Sequence, residues 1–109
     1  MTSKESFFNM CHSFPGVEQN PHFERTAFKV TGKRIFATYH GPSNSANIVL
    51  SPTEQHTFCE YEGGAIYPVP NKWGEKGWTT FELKSIPPEL VLEALNLAYE
   101  LAKKSKTSK

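Results

Sequence analysis

Aspartate is absent from all 109 residues, so the eleven acidic side chains are all glutamate. A Ser-His-Asp arrangement therefore cannot be built, and a glutamate would have to orient any catalytic histidine. Cysteine is scarce: Cys11 and Cys59 fall on two separate predicted helices. Disulfide-stapled secreted domains use more, so reduced, structural thiols are expected. Cys59 has neither a nucleophile elbow nor an activating cation beside it in sequence. No apolar run approaches the roughly 20 residues of a bilayer-crossing helix. The start, Met1-Thr2-Ser3-Lys4-Glu5, lacks the apolar stretch of a secretion signal. The expectation is a cytoplasmic monomer without membrane contact. No Gly-rich turn joins a strand to a helix, which argues against a dinucleotide-binding βαβ unit.

Charge of one sign is also missing from one place. The last seven residues carry Lys103, Lys104, Lys106 and Lys109 and no acid. Residues 1–102 then hold eight Lys and Arg against eleven Glu, a net −3 beneath the overall +1. Such a body is not the strongly basic surface of a dedicated DNA binder.

What is present reads as one α+β domain over 1–104, followed by a frayed basic tail over 105–109. Thr2-x-x-Glu5 has the form of a capping box. Phe7, Met10, Cys11 and Phe14 follow at helical spacing. Pro15-Gly16 stops that helix, and residues 17–25, with Pro21, read as a loop. Ala27 to Val30 and Arg34 to Tyr39 alternate around Gly32 and predict a β-hairpin. Ala46 to Leu50 is a third strand. Ser51-Pro52-Thr53-Glu54 combines an N-cap, a first-turn proline and a capping glutamate. It predicts a helix over about 52–62, with Phe58 and Tyr61 inward and Gly63-Gly64 ending it. Ala65 to Val69 fits an edge strand because of Pro68. Residues 71–77 read as a loop, and Trp78 to Leu83 as a strand. A last helix from about 87 carries Val91, Ala94, Leu95, Ala98 and Ala102 on one face. The order is α-β-β-β-α-β-β-α, an antiparallel sheet of about five strands with flanking helices on one face.

Several of these pieces are similar to the MmcQ/YjbR family. They are Phe14-Pro15-Gly16-Val17-Glu18, the hairpin Ala27-Phe28-Lys29-Val30-x-Gly32-Lys33-x-Ile35-Phe36-Ala37, and Leu50-Ser51-Pro52. Asn71-Lys72-Trp73-Gly74 with Gly77-Trp78-Thr79, and the helix from Leu90 to Leu101, complete the match over roughly 5–104. Where other members often have a His before the tryptophan of the late strand, this chain has Gly77. The resemblance implies a secretion-chaperone-like α+β fold and a double wing of β-hairpins that contacts duplex DNA. It brings no catalytic residue and no cofactor.

The residues that such contact would use are Lys29, Lys33, Arg34, Lys72, Trp73 and Lys76. Phosphate contacts need cations on protruding turns, and Lys33-Arg34 at Gly32 meets that need. Charged hairpin tips also serve as ordinary edge protection. Two tryptophans between lysines in 72–78 suit base stacking beside phosphates. Gly74-Glu75-Lys76-Gly77 spells a KH-type GxxG, but it opens onto a strand rather than joining two helices. Core packing of Trp78 is the plainer reading. His12, His22, His40 and His56 show no metal-ligand spacing with Cys11 or Cys59, and no metal site is expected. Two other functions remain open. One is a protein-interaction module that uses the edge Ile66-Tyr67-Pro68-Val69-Pro70. The other is a small-molecule binder with Tyr39, His40 and Trp78 around a pocket.

Overall fold

The computed structural model describes residues 1–105, and the rest of the expected basic tail, 106–109, lies outside the described residues. Helix α1 spans Lys4–His12, followed by strands β1 (Val17–His22), β2 (Arg25–Val30), β3 (Ile35–His40) and β4 (Ser45–Val49). Helix α2 (Pro52–Cys59), strand β5 (Ile66–Pro68), the short helix α3 (Lys72–Glu75), strand β6 (Trp78–Glu82) and helix α4 (Pro88–Lys103) complete the chain. The strands form one antiparallel sheet in the order β1-β2-β3-β4-β6-β5.

The sheet has six strands rather than five because residues 17–25 are not a loop. They form β1 and its turn to β2. Pro21 pairs with Thr26 on an outer strand, where its missing N–H costs no ladder bond. The strand escapes sequence patterning because five of its six residues are exposed. Residues 71–77 likewise contain a helical turn, α3, capped by the Asn71 side chain, which accepts from the Trp73 N–H at 2.8 Å.

Capping fell as expected at α2 and one residue away at α1. Ser51 Oγ accepts from the Glu54 N–H at 3.2 Å, and Glu54 Oε1 accepts from the Ser51 N–H at 3.1 Å. Such a box stabilises a helix by about 1 kcal/mol. Thr2 does not cap α1. Its hydroxyl donates to the Ile86 carbonyl at 2.7 Å and its N–H to Leu83 at 3.0 Å, which ties the chain start to the turn before α4. Ser3 caps instead, accepting from the Ser6 N–H.

Helices α1 and α4 cover one face of the sheet, and the core lies between the layers. Phe7, Phe28, Phe36, Ile48, Phe81, Leu95 and Ala98 are fully enclosed there. Phe14 stacks on Tyr99 with ring centroids 4.8 Å apart, and the Tyr99 hydroxyl donates to the Pro15 carbonyl at 2.6 Å. One irregularity sets the faces. Phe28 pairs with Ala37 but Lys29 pairs with Ile35, so Phe36 is an extra residue in β3. This bulge turns Phe36 and Ala37 both into the core and re-aims Ile35 to the opposite face, beside Lys29.

Among the described residues no helix is long and apolar enough to cross a membrane. Cys11 and Cys59 are both free thiols. Burial pushes both thiols up from their ordinary pKa, Cys11 far more strongly.

Gly74 and Gly77 have steric reasons that displace the KH-loop reading. A Cβ on Gly74 would collide with the Val69 carbonyl oxygen, and one on Gly77 with the Leu50 carbonyl oxygen. Gly77 also has φ +103°, and its own carbonyl accepts from the Leu50 N–H at 2.9 Å. Gly32, at φ +74°, faces open space. Gly77→Ala should therefore cost about 3 kcal/mol or more, against about 1–2 kcal/mol for Gly32→Ala, where backbone strain acts alone. Chemical denaturation midpoints of the two variants measure the difference.

Candidate functional site

The sheet face away from the helices carries every second residue of its strands. These include Glu18 on β1; Arg25, Ala27 and Lys29 on β2; Ile35 and Thr38 on β3; Asn47 on β4; and Trp78, Thr80 and Glu82 on β6. A groove of about 460 Å³ is lined by His22, Arg25, Lys29, Lys33, Arg34, Ile35, Thr38, Asn47, Val69, Trp73 and Trp78. Four of these residues are Lys or Arg, and none is a glutamate.

Arg25 lies deepest in this chemistry, and it escapes a sequence reading because the residues before it look like loop. Its Nε donates to Thr38 Oγ1 at 2.8 Å. Its Nη2 is shut off from solvent and meets no acceptor among the described residues. Desolvation draws its pKa below the usual guanidinium value. A partly buried cation without a counter-charge is costly unless something supplies one. The ion pairs among the described residues, His56 with Glu60 and Lys103 with Glu100, lie elsewhere. Glu18 stands across from Lys29 on β1 without forming one.

The residues expected from sequence divide into three groups. Lys29, Arg34 and Trp73 come together at the groove, with Arg34 on the β2–β3 turn and Trp73 on α3. Lys33 borders the groove, but its ammonium is engaged, donating to the Ser105 carbonyl at 3.0 Å past the end of α4. That bond also holds Ser105, the first residue of the stretch read as frayed tail. Lys72 and Lys76 lie outside the lining. Lys76 places its ammonium 5.1 Å from the centre of the Trp73 ring. Both loops, 31–34 and 69–77, leave the same end of the sheet, because Val49 pairs with Trp78 and β3 runs antiparallel to β4.

Trp78 is half-buried, packed against the margin of the core and lining the groove, while Trp73 is 57% exposed. The pocket imagined around Tyr39, His40 and Trp78 does not form. Tyr39 faces the helices, its hydroxyl donating to Asn44 Oδ1 at 2.7 Å, and Trp78 faces the other way. The edge proposed for partner strands is only three residues long. No three potential metal ligands gather among the described residues. Phe23 also carries no signal in the sequence. It is 96% exposed at the tip of the β1–β2 turn, with φ +59°.

The family model named YjbR matches residues 12–101, most of the chain. The chain belongs to the YjbR family. Among curated proteins none matches the sequence. The crystal structure of Deinococcus radiodurans protein DR2400, described with a DUF419 domain, superposes with a TM-score of 0.82 at 24% identity. It covers 100% of this YjbR chain and 84% of its own length is matched, a likeness of fold alone. Every lining residue of the groove lies within the YjbR match.

A cationic groove with two indole walls should concentrate small anions at the tryptophans. Iodide is therefore expected to quench the protein's tryptophan emission more strongly than caesium at equal concentration and low ionic strength. Lys29→Glu with Arg34→Glu should cancel or reverse that order. Equal quenching by both ions in the unsubstituted protein would count against an anion-attracting face.

Proposed function

We propose that this YjbR protein binds nucleic acid across the open face of its sheet. The observation that supports the reading is the convergence of Arg25, Lys29, Lys33 and Arg34 on one concave surface that no glutamate lines. Cations gathered in this way release counterions when phosphates replace them, which supplies sequence-independent affinity. Trp73 and Trp78 add flat apolar surface where bases could stack. The double-wing arrangement enters as a supporting part: loops 31–34 and 72–77 border the same end of the face and extend the cationic surface through Lys72 and Lys76. The reading needs no second copy of the chain.

Fluorescence anisotropy with a labelled oligonucleotide at about 50 mM salt tests it, since such contacts are strong there. Lys29→Ala with Arg34→Ala should weaken binding at least tenfold and flatten the salt dependence by roughly 0.7–0.9 for every phosphate that is no longer neutralised. Lys33→Ala should weaken it less than Arg34→Ala, because the Lys33 ammonium is already held by Ser105. No binding to single or double strands at that salt would remove the proposal.

A further inference from the structure

The shape of the groove carries the reading of this face one step further, to the form of nucleic acid it takes. We infer that the open face binds a single strand, with a phosphate at Arg25 and a base against Trp78; this rests on the nucleic-acid reading above.

Three observations point the same way. First, Arg25 and Lys29 stand on the sheet face itself, with Lys33 and Arg34 on the turn at its rim. Arg25 and Lys29 belong to inner-facing positions of β2, and both long helices packed on the sheet lie on its other side. A duplex major groove about 12 Å wide admits a helix or a two-stranded ribbon, not the face of a six-stranded sheet. A single strand can lie along such a face.

Second, Arg25 is prepared for an anion. Thr38 fixes its Nε, so the plane of the guanidinium is set, and its Nη2 has no acceptor among the described residues. With Nε held by Thr38 and Nη2 closed off, Nη1 is the donor left to meet a phosphate, and the missing counter-charge is one that a phosphate would supply.

Third, the spacing fits a strand and not a lone small anion. Arg25 and Trp78 are separated by three inter-strand steps and about four residues along the strands, roughly 20 Å between backbones. Between them Asn47 accepts from Thr80 through its Oδ1 at 2.8 Å, which leaves its amide N–H groups for a base edge. Unstacked bases offer both π-faces and polar edges, whereas duplex bases are already stacked and paired.

The test titrates the full chain with an oligothymidylate of about eight residues and with a blunt duplex of equal length, following tryptophan emission and anisotropy together. The single strand is expected to bind at least tenfold more tightly than the duplex and to quench emission. Trp78→Phe should remove most of the quenching. Arg25→Lys, which keeps the charge and loses the plane held by Thr38, should weaken single-strand binding about fivefold or more while duplex binding changes little; thermal melting of each variant checks that it is folded. Duplex binding equal to or tighter than single-strand binding would overturn the inference and leave nucleic-acid binding by the face intact. So would single-strand binding that neither quenches nor responds to Arg25→Lys. Failure of both ligands to bind removes the two readings together.

Discussion

Coverage of the sheet from one side only is the constraint from which the rest follows. Tertiary packing supplies most helix stability, so α1 and α4 must lay their apolar faces on something, and both lie on the same face. The opposite face must then either be polar or find a partner. In this chain it is neither uniformly polar nor apolar. Ala27 and Thr38 are nearly inaccessible there although no helix covers them. Arg25 lies against Thr38, its Nε donating to the Thr38 hydroxyl at 2.8 Å. The same bulge that turns an extra aromatic ring into the core also sends Ile35 to the outer face.

Charge follows the layers. Glu5, Glu54, Glu89, Glu93 and Glu100 lie on the three longer helices, where the early ones also meet the positive ends of the helix dipoles. Arg25 and Lys29 lie on β2, beside the edge strand β1, with Arg34 on its turn to β3; Glu18 and Glu82 share their face but stand outside the groove lining. The −3 of residues 1–102 is thus a sum that does not describe the groove lining, which holds four Lys and Arg and no Glu. At physiological ionic strength charges separated by more than about 8 Å are largely screened from one another, so the groove's potential is set by its lining and by near neighbours such as Glu18, not by the distant helices. A net charge near zero is no argument against a local anion site when the two signs are sorted in this way.

The parts of the fold that were legible in the sequence are those specified locally. The Ser51–Glu54 box, the hairpin around Gly32 and the apolar stripe of α4 each carry their signal within a few residues, and the structure has all three. The parts that were not legible depend on distant partners. Thr2 looks like a helix cap until the Ile86 carbonyl, 84 residues away, takes its hydroxyl. Strand β1 shows no alternation, because an edge strand lying mostly in water has little need of any. Of the site, Lys29, Arg34 and Trp73 could be picked out as cations and an aromatic on turns. Arg25 could not, because its meaning comes from Thr38, thirteen residues on and on the neighbouring strand. The bulge was hidden for a similar reason: an extra residue shows only against the strand that it fails to pair with.

The wall formed by residues 69–77 shows why the groove should be a built feature and not a chance hollow. Its two glycines let α3 and the start of β6 approach the carbonyls of Val69 and Leu50 more closely than any other residue would allow. Gln55 of α2 reinforces the wall from behind, its amide donating to the Gly74 and Trp78 carbonyls at 3.0 and 3.2 Å and to Thr79 Oγ1 at 3.1 Å. Asn71 closes the turn at the other end. These bonds fix the backbone that carries Trp73 and Trp78 before any ligand arrives, so binding has little left to order there. Lys29 and Arg34, facing that wall, have no such restraint among the described residues and can adjust to a phosphate's position. A rigid aromatic wall opposite adjustable cations, with Arg25 anchored at the far end of β2, divides the work of recognition. The fixed parts select the shape of the ligand and the adaptable parts neutralise its charge.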